Sequence, residues 1–141
     1  MLKYLLDTNI ISELITKQPN QNVLNFLSSI NENDTYLSVI TIGEIKTGIE
    51  NVKNIDKKEK LCKWLEEDLL IRFKNRIVDI DLDIMITWGK INQNLKSVGK
   101  PLPIMDSIIA SSCIYTKFTL ITRNEKDFQN LDLNIINPFT Y

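Results

Sequence analysis

Short apolar segments alternate with stretches of helical periodicity along the whole sequence, and this alternation limits the folds open to the chain. Residues 2–6, 36–39, 76–80, 118–122 and 133–136 have the length and apolar character of short buried strands. Helical patterns separate them, as expected for connections that return the chain to the same end of a sheet. The order predicts a three-layer α/β fold, in which a central, mainly parallel sheet of about five strands has helices on both faces.

The predicted helices have recognisable ends. Asp81 has the position of an N-cap, and Gly99 closes the same helical pattern. Pro103 suits the first turn of the next helix. Thr41 and Glu44 have the spacing of a capping box, which predicts that another helix begins at Thr41. Because no internal repeat or linker interrupts these elements, we expect one domain over residues 1–141.

The composition excludes several classes of function. The chain of 141 residues contains no histidine, which rules out Ser-His-Asp catalysis, Cys-His catalysis and histidine-based metal sites. Cys62 and Cys113 lie far apart and form neither a zinc motif nor a disulfide framework. The net charge of −1 provides no overall basic field for nucleic acid, although a local basic patch is compatible with it.

The hydropathy pattern gives no sign of a membrane protein. No apolar stretch approaches the roughly 20 residues of a membrane span. The apolar run at the start of the sequence ends at Asp7 and is too short for a signal peptide. We therefore expect a cytoplasmic protein without membrane association.

Four carboxylates lie where predicted strands end or where the following helices begin: Asp7, Glu44, Asp106 and Asp127. Each has an ordinary structural explanation when it is taken alone. Asp7 can be a helix N-cap, Glu44 the acid of a capping box, and Asp106 an acid stabilised by a helix dipole. Asp127 can belong to a turn.

Taken together, these carboxylates are expected to meet at one edge of the sheet. In a right-handed, doubly wound sheet, the carboxyl ends of the strands and the N-termini of the following helices share that edge. Carboxylates packed together raise each other's pKa unless a cation neutralises them. Oxygen ligands without histidine or cysteine suit Mg²⁺, with Mn²⁺ as a substitute, and such a site can activate water for attack on a phosphoryl group.

Around these carboxylates the sequence resembles PIN-domain ribonucleases, and more closely the VapC-type toxins of bacterial toxin–antitoxin pairs. The resemblance covers nearly the whole chain and is carried by four short motifs in the same order. The motifs are Leu5-Leu6-Asp7-Thr8-Asn9, Ser38-Val39-Ile40-Thr41-Ile42-Gly43-Glu44-Ile45, Pro103-Ile104-Met105-Asp106-Ser107-Ile108-Ile109-Ala110 and Leu120-Ile121-Thr122-Arg123-Asn124-Glu125-Lys126-Asp127-Phe128.

The resemblance implies Mg²⁺-dependent cleavage of RNA, often a structured RNA such as transfer RNA, with Asp7, Glu44 and Asp106 as the acidic, metal-ligating core. In many members a fourth acid falls at the position of Asn124, and in others it falls at the position of Asp127. We rank Asp127 first because only it carries charge, and we expect it to act through water. The resemblance also implies a homodimer and a cognate VapB-like antitoxin whose C-terminal segment blocks the acidic pocket.

Two further groups of residues are candidates with weaker signals. Hydroxyl and amide side chains near the motifs can hydrogen-bond a carboxylate or a metal-bound water, or can be ordinary turn residues; they are Thr8, Asn9, Thr122 and Asn124. Basic side chains flank the same edge and can contact RNA phosphates or remain solvated surface charges; they are Lys46, Lys100 and Arg123.

Two other functions are compatible with parts of this pattern. A catalytically inactive PIN-like module that binds RNA or protein would keep the fold, but none of the three core acids is missing. An aspartyl phosphotransferase also places an aspartate after its first strand. Asp7-Thr8-Asn9 lacks the second acid, two residues on, that the haloacid-dehalogenase type of that enzyme uses. We favour the metal-dependent endoribonuclease over both alternatives.

Overall fold

A computed structural model describes residues 2–141 and contains a sheet of five strands in the spatial order β3-β2-β1-β4-β5. The strands are β1 (Tyr4–Leu6), β2 (Thr35–Ser38), β3 (Ile77–Val78), β4 (Thr119–Ile121) and β5 (Ile135–Ile136). All four strand pairs are parallel. The predicted parallel sheet is therefore confirmed, and each strand lies inside or within one residue of its predicted segment.

Helices fill the connections between the strands. They are α1 (Thr8–Leu14), α2 (Gln21–Ser28), α3 (Val39–Glu50), α4 (Ile55–Lys63), α5 (Leu70–Arg72), α6 (Leu82–Ser97) and α7 (Ile104–Thr116). A π-helical stretch over Trp64–Leu69 joins α4 directly to α5. Asp81 caps α6 and Gly99 follows it with φ +71°, so both predicted ends of this helix are confirmed.

The predicted start of α3 is wrong by two residues. The helix begins at Val39 because the Ser38 hydroxyl accepts a hydrogen bond from the backbone N–H of Ile40 at 3.0 Å and acts as the N-cap. Thr41 is the third residue of the helix and is fully buried, so it is not the N-cap. Glu44 consequently lies beyond the first turn and is not the acid of a capping box, which removes its ordinary structural explanation.

The core is divided between the two faces of the sheet. Along β1, Tyr4 and Leu6 belong to one apolar cluster and Leu5 to the other, because alternate side chains of a strand point to opposite faces. The first cluster packs α1 to α5 against one face, and the second packs α7 against the other. This arrangement confirms the predicted three-layer α/β fold.

The strand order places a topological switch point between β1 and β4. The chain moves from β1 outward to β2 and β3, and then returns to the opposite side of β1 with β4. Ligands bind outside the carboxyl ends of the strands at such a point, because the loops there diverge to opposite faces and leave a crevice. Asp7 follows β1 and Thr122 follows β4, so these two residues flank the crevice.

Within residues 2–141, no helix has the length and apolar character needed to cross a membrane.

Candidate active site

A pocket of about 450 Å³ opens at the switch point, and we call it the acidic pocket. It is lined by Asp7, Thr8, Asn9, Ser12, Glu13, Thr16, Glu44, Asp106, Arg123 and Asn124. The three predicted core acids therefore meet at one cavity, although they lie in the loop after β1, in α3 and in α7.

Asp7 is the most buried of these acids, and both of its carboxylate oxygens have defined partners. Oδ1 accepts a hydrogen bond from the backbone N–H of Thr8 at 2.8 Å, which makes Asp7 the N-cap of α1. Oδ2 accepts hydrogen bonds from the Thr122 hydroxyl at 2.8 Å and from the Asn9 amide at 3.3 Å. The predicted N-cap role is confirmed and is compatible with a second role in the pocket.

Thr122 uses its full hydrogen-bonding capacity to hold this arrangement. Its hydroxyl donates to Asp7 and accepts from the Asn9 side-chain amide at 3.2 Å and from the Asn124 backbone N–H at 3.1 Å. A hydroxyl has one donor and two acceptor sites, and all three are occupied here. Because the side chain is 0% exposed, Thr122 orients Asp7 from behind and does not line the pocket.

Glu44 is held in the pocket from α1. The Thr8 hydroxyl donates to Glu44 Oε1 at 2.6 Å, and a hydrogen bond of 3.1 Å joins it to the Thr41 hydroxyl. The bond crosses 36 positions of sequence and ties the first turn of α1 to α3. Thr8 therefore fixes the direction of an otherwise exposed carboxylate.

The electrostatics of the pocket disfavour the charged form of its aspartates. Burial raises the pKa of Asp7, and the charge of Glu44 raises it further, although hydrogen bonds from Thr122, Thr8 and Asn9 oppose the rise. The pKa of Asp106 is also raised, first by burial and then by the charges of Asp7, Glu44 and Asp127. Among residues 2–141, no side-chain hydrogen bond stabilises the Asp106 carboxylate.

The donor set of the pocket fits a hard divalent cation. Carboxylates that repel one another bind such an ion favourably, because it removes the repulsion. In the part of the chain that is described, no three His, Cys, Asp or Glu side chains are placed so that together they could hold one metal ion. Mg²⁺ keeps several water ligands and is commonly bound through only one or two carboxylates together with substrate phosphates, so this spacing is compatible with it.

The weaker candidates separate into two groups. Arg123 and Asn124 line the acidic pocket, whereas Lys46 and Lys100 do not. Lys46 instead pairs with Glu50, one turn further along α3, at 3.3 Å. Asp127 does not line the pocket either, although its charge raises the pKa of Asp106.

Sequence reasoning missed three residues of the pocket wall: Ser12, Glu13 and Thr16. The signal that could have found them is helical spacing, because Ser12 and Thr16 follow Thr8 by one and two turns of helical sequence. Glu13 Oε2 accepts a hydrogen bond from the backbone N–H of Asn20 at 2.8 Å. This carboxylate therefore also serves to connect the end of α1 to the start of α2.

An apolar groove lies beside the acidic pocket. It has a volume of about 550 Å³, and its wall includes Leu14, Leu24, Leu27, Trp64 and Phe73. A smaller cavity of about 160 Å³ connects the two, since it shares Thr8, Ser12 and Glu44 with the pocket and Ile11, Ile15 and Trp64 with the groove. A continuous surface therefore leads from apolar side chains to the acids.

Comparison with known families decides which family this architecture represents. A family model described as PIN domain matches residues 4–133. The chain belongs to the PIN-domain family. Toxin FitB of Neisseria gonorrhoeae is 35% identical over 135 residues, which are 96% of this chain and 97% of that protein. VapC ribonuclease Y4jK of Sinorhizobium fredii is 30% identical over 134 residues, which are 95% of this chain and 96% of that protein.

Solved structures agree with this family membership. FitAcB from Neisseria gonorrhoeae superposes on this PIN domain with a TM-score of 0.93 at 34% identity, over 98% of this chain and 99% of that chain. VapBC2 from Rickettsia felis, bound to a DNA fragment from their promoter, gives a TM-score of 0.80 at 25% identity, over 96% of this chain and 98% of that chain. The superposition extends over nearly the whole chain, so the likeness includes the layers that form the pocket.

The raised pKa of Asp106 predicts how stability depends on pH when no divalent cation is present. The folded protein holds this proton more tightly than the unfolded chain does, so stability falls as pH rises from about 3.8 through the raised pKa. Asp106→Asn removes the charge without removing a hydrogen bond. We expect this variant to melt at a higher temperature than the wild type in EDTA at pH 7, and at the same temperature below the ordinary aspartate pKa.

The matched control is Asp132→Asn, because Asp132 is exposed and away from the pocket. Its melting temperature is expected to follow that of the wild type at both pH values. An Asp106→Asn variant that is no more stable than the wild type at pH 7 would contradict the electrostatic description of the pocket.

Proposed function

We propose that this PIN domain is the toxin of a toxin–antitoxin pair and acts as a Mg²⁺-dependent endoribonuclease. The observation that carries the proposal is the meeting of Asp7, Glu44 and Asp106 at one pocket on the switch point of the sheet. The raised pKa values of Asp7 and Asp106 support a site that is completed by a cation. The relatives named toxin FitB and VapC ribonuclease Y4jK support the reaction class.

The three core acids and the residues that hydrogen-bond them have proposed roles. Asp7 and Asp106 hold the cation, and Glu44 completes the acidic cluster and accepts a proton from the attacking water. Mg²⁺ supplies, when bound, Lewis acidity for that water and for the phosphoryl group. Thr122 and Asn9 orient Asp7, and Thr8 orients Glu44.

Asn124 and Asp127 are the two candidates for the fourth acidic position of the family pattern. Asn124 lines the pocket and offers a neutral amide near the reacting groups, whereas Asp127 adds negative charge from further away. We propose that Asp127 acts through water, because its carboxylate does not reach the pocket wall.

We propose cellular RNA in the cytoplasm, transfer RNA included, as the substrate.

We further propose a cognate VapB-like antitoxin as a partner of this chain. The apolar groove continues into the acidic pocket, so one peptide segment could bury apolar side chains in the groove and present a cation to the acids. The likeness to the FitAcB and VapBC2 structures supports such a partner.

The first test is cleavage of bulk transfer RNA by the purified protein in Mg²⁺. We expect cleavage in Mg²⁺, no cleavage in EDTA, and a loss of more than about 100-fold for Asp7→Asn, because a metal ligand contributes more than the outer groups that orient it. Asp132→Asn serves as the charge-matched control and should retain activity. Cleavage that survives both EDTA and Asp7→Asn would contradict the metal mechanism, and an absence of cleavage in Mg²⁺ would favour an inactive binding module.

A second test addresses the hydrogen bond between Thr122 and Asp7. Thr122→Val keeps the shape of the side chain but removes the hydroxyl, so Asp7 loses a donor while the Asn9 amide and the Asn124 N–H lose an acceptor. We expect activity to fall by about 10- to 100-fold. Thr122→Ser keeps the hydroxyl and should retain most of the activity. Equal activities of the two variants would show that the hydroxyl does not orient Asp7.

We also propose that the protein forms a homodimer. Several apolar side chains of α6 and α7 are exposed: Leu82 at 74%, Ile86 at 65% and Ile104 at 64%. Burying such side chains against a second copy is favourable by about 25 cal/mol for each Å² of apolar surface.

Light scattering should give twice the chain mass, and Ile86→Glu should give the single-chain mass with an unchanged circular dichroism spectrum. A single-chain mass for the wild type at micromolar concentration would contradict the dimer.

A further inference from the structure

Arg123 has two properties that suit it to bind an anion at the acidic pocket. Among residues 2–141, it is the only lysine or arginine that lines this pocket. None of the ion pairs in the same part of the chain includes it. Its guanidinium therefore keeps its N–H donors available for an anion that is not part of the protein.

The Arg123 side chain is nevertheless held in place. Its backbone N–H donates to Asn9 Oδ1 at 3.1 Å, so the start of the loop after β4 is tied to the first turn of α1. Its guanidinium carbon lies 4.8 Å from the centroid of the Phe139 ring. A guanidinium that lies over an aromatic ring is attracted by the ring quadrupole, and arginine forms this contact more often than lysine.

Phe139 is itself fixed in a short helical turn, Pro138–Thr140, near the end of the sequence. Its side chain packs against the apolar cluster that contains Tyr4 and Leu6 of β1. Its carbonyl oxygen accepts a hydrogen bond from the Asn22 side chain in α2 at 2.9 Å. Phe139 is therefore anchored by its backbone to α2 and by its side chain to the core, although the guanidinium above it belongs to an exposed side chain. We call its ring the platform.

Asn137 connects this platform to the loop that carries Arg123. Its Oδ1 accepts the backbone N–H of Phe139 at 3.0 Å, which caps the turn. Its Nδ2 donates to the Arg123 carbonyl oxygen at 3.3 Å and to Glu125 Oε1 at 3.2 Å. One side chain thus sets the distance between the aromatic ring and the backbone of the arginine.

We propose that Phe139 and Asn137 are positioning residues that hold Arg123 at the rim of the acidic pocket, where it binds an RNA backbone phosphate. This inference rests on the proposed ribonuclease function. The acids of the pocket repel a phosphate, so a cation at the rim offsets that repulsion as the substrate approaches. The guanidinium contacts the ring by cation–π attraction and belongs to no ion pair among residues 2–141, so its N–H donors are free for bidentate binding of phosphate oxygens.

The experiment is a double-mutant cycle on the full chain, with Arg123→Gln, Phe139→Met and the double variant. Phe139→Met keeps an apolar side chain against the core but removes the ring, and Phe139→Tyr is the matched control that keeps it. Each variant is measured for cleavage of bulk transfer RNA in Mg²⁺. The same variants, placed in the Asp7→Asn background, are measured for binding of fluorescein-labelled transfer RNA over a series of salt concentrations.

We expect Arg123→Gln to raise KM about tenfold and to reduce the slope of log affinity against log salt by about one, as for a lost phosphate contact. Phe139→Met should raise KM about threefold, which is the size of an exposed cation–π contact, with the effect on KM rather than on kcat. Phe139→Tyr should resemble the wild type. The double variant should match Arg123→Gln alone, because a residue that acts through Arg123 has no effect once Arg123 is gone.

Additive effects in the cycle would overturn the inference, because they would show that Phe139 supports folding and does not act through Arg123. An unchanged KM and salt slope for Arg123→Gln would overturn it as well, while RNA cleavage by the wild type would leave the proposed function intact. A wild type that neither binds nor cleaves RNA would overturn both. If Phe139→Met does not melt cooperatively, Asn137→Ala replaces it in the cycle, since it releases the loop and leaves the ring, and the same non-additivity is expected.

Discussion

The hydrogen bond between Thr122 and Asp7 is the contact on which the site depends. It joins the carboxyl ends of β1 and β4 across the switch point, where the two strands lead into different layers of the molecule. The Thr122 hydroxyl uses its one donor and both of its acceptor sites in this network. Asp7 is also the N-cap of α1. The same pair of side chains therefore links two neighbouring strands, begins α1 and sets the direction of the first carboxylate.

The fold brings together acidic groups that repel one another. Asp106 has charged neighbours and no hydrogen-bond donor, and burial raises its pKa before any neighbour contributes. Asp7 receives three donors and still has a raised pKa. A folded protein tolerates such a cluster at a cost in stability, and clusters of this kind mark sites where a ligand supplies the missing charge. At this edge of the sheet, the repulsion that lowers the stability of the protein alone is thus the same repulsion that favours binding of a positively charged ligand.

The sequence was sufficient to predict the parallel sheet, because short apolar segments alternate with helical patterns. It also predicted that Asp7, Glu44 and Asp106 meet, because each lies near the end of a strand or the start of a helix, but Asp127, which was expected with them, does not line the pocket. It did not predict that Ser38 would cap α3, since Thr41 and Glu44 have the spacing of a capping box although Thr41 is the third residue of the helix. It also gave equal weight to Lys46 and Arg123. The pairing of Lys46 with Glu50 is a local contact within α3, whereas the position of Arg123 over the Phe139 ring requires tertiary structure.

The long sequence separation within the site has a consequence for folding. Thr122 lies 115 positions from Asp7, and the Arg123 backbone lies 114 positions from the Asn9 amide that it contacts. Contacts between distant parts of a chain form slowly, because the entropy of a large loop is lost before the contact can stabilise it. Local segments cannot build the pocket by themselves. During synthesis Asp7 is made before β4, so its carboxylate remains without its orienting hydroxyl until β4 has been made and has paired with β1.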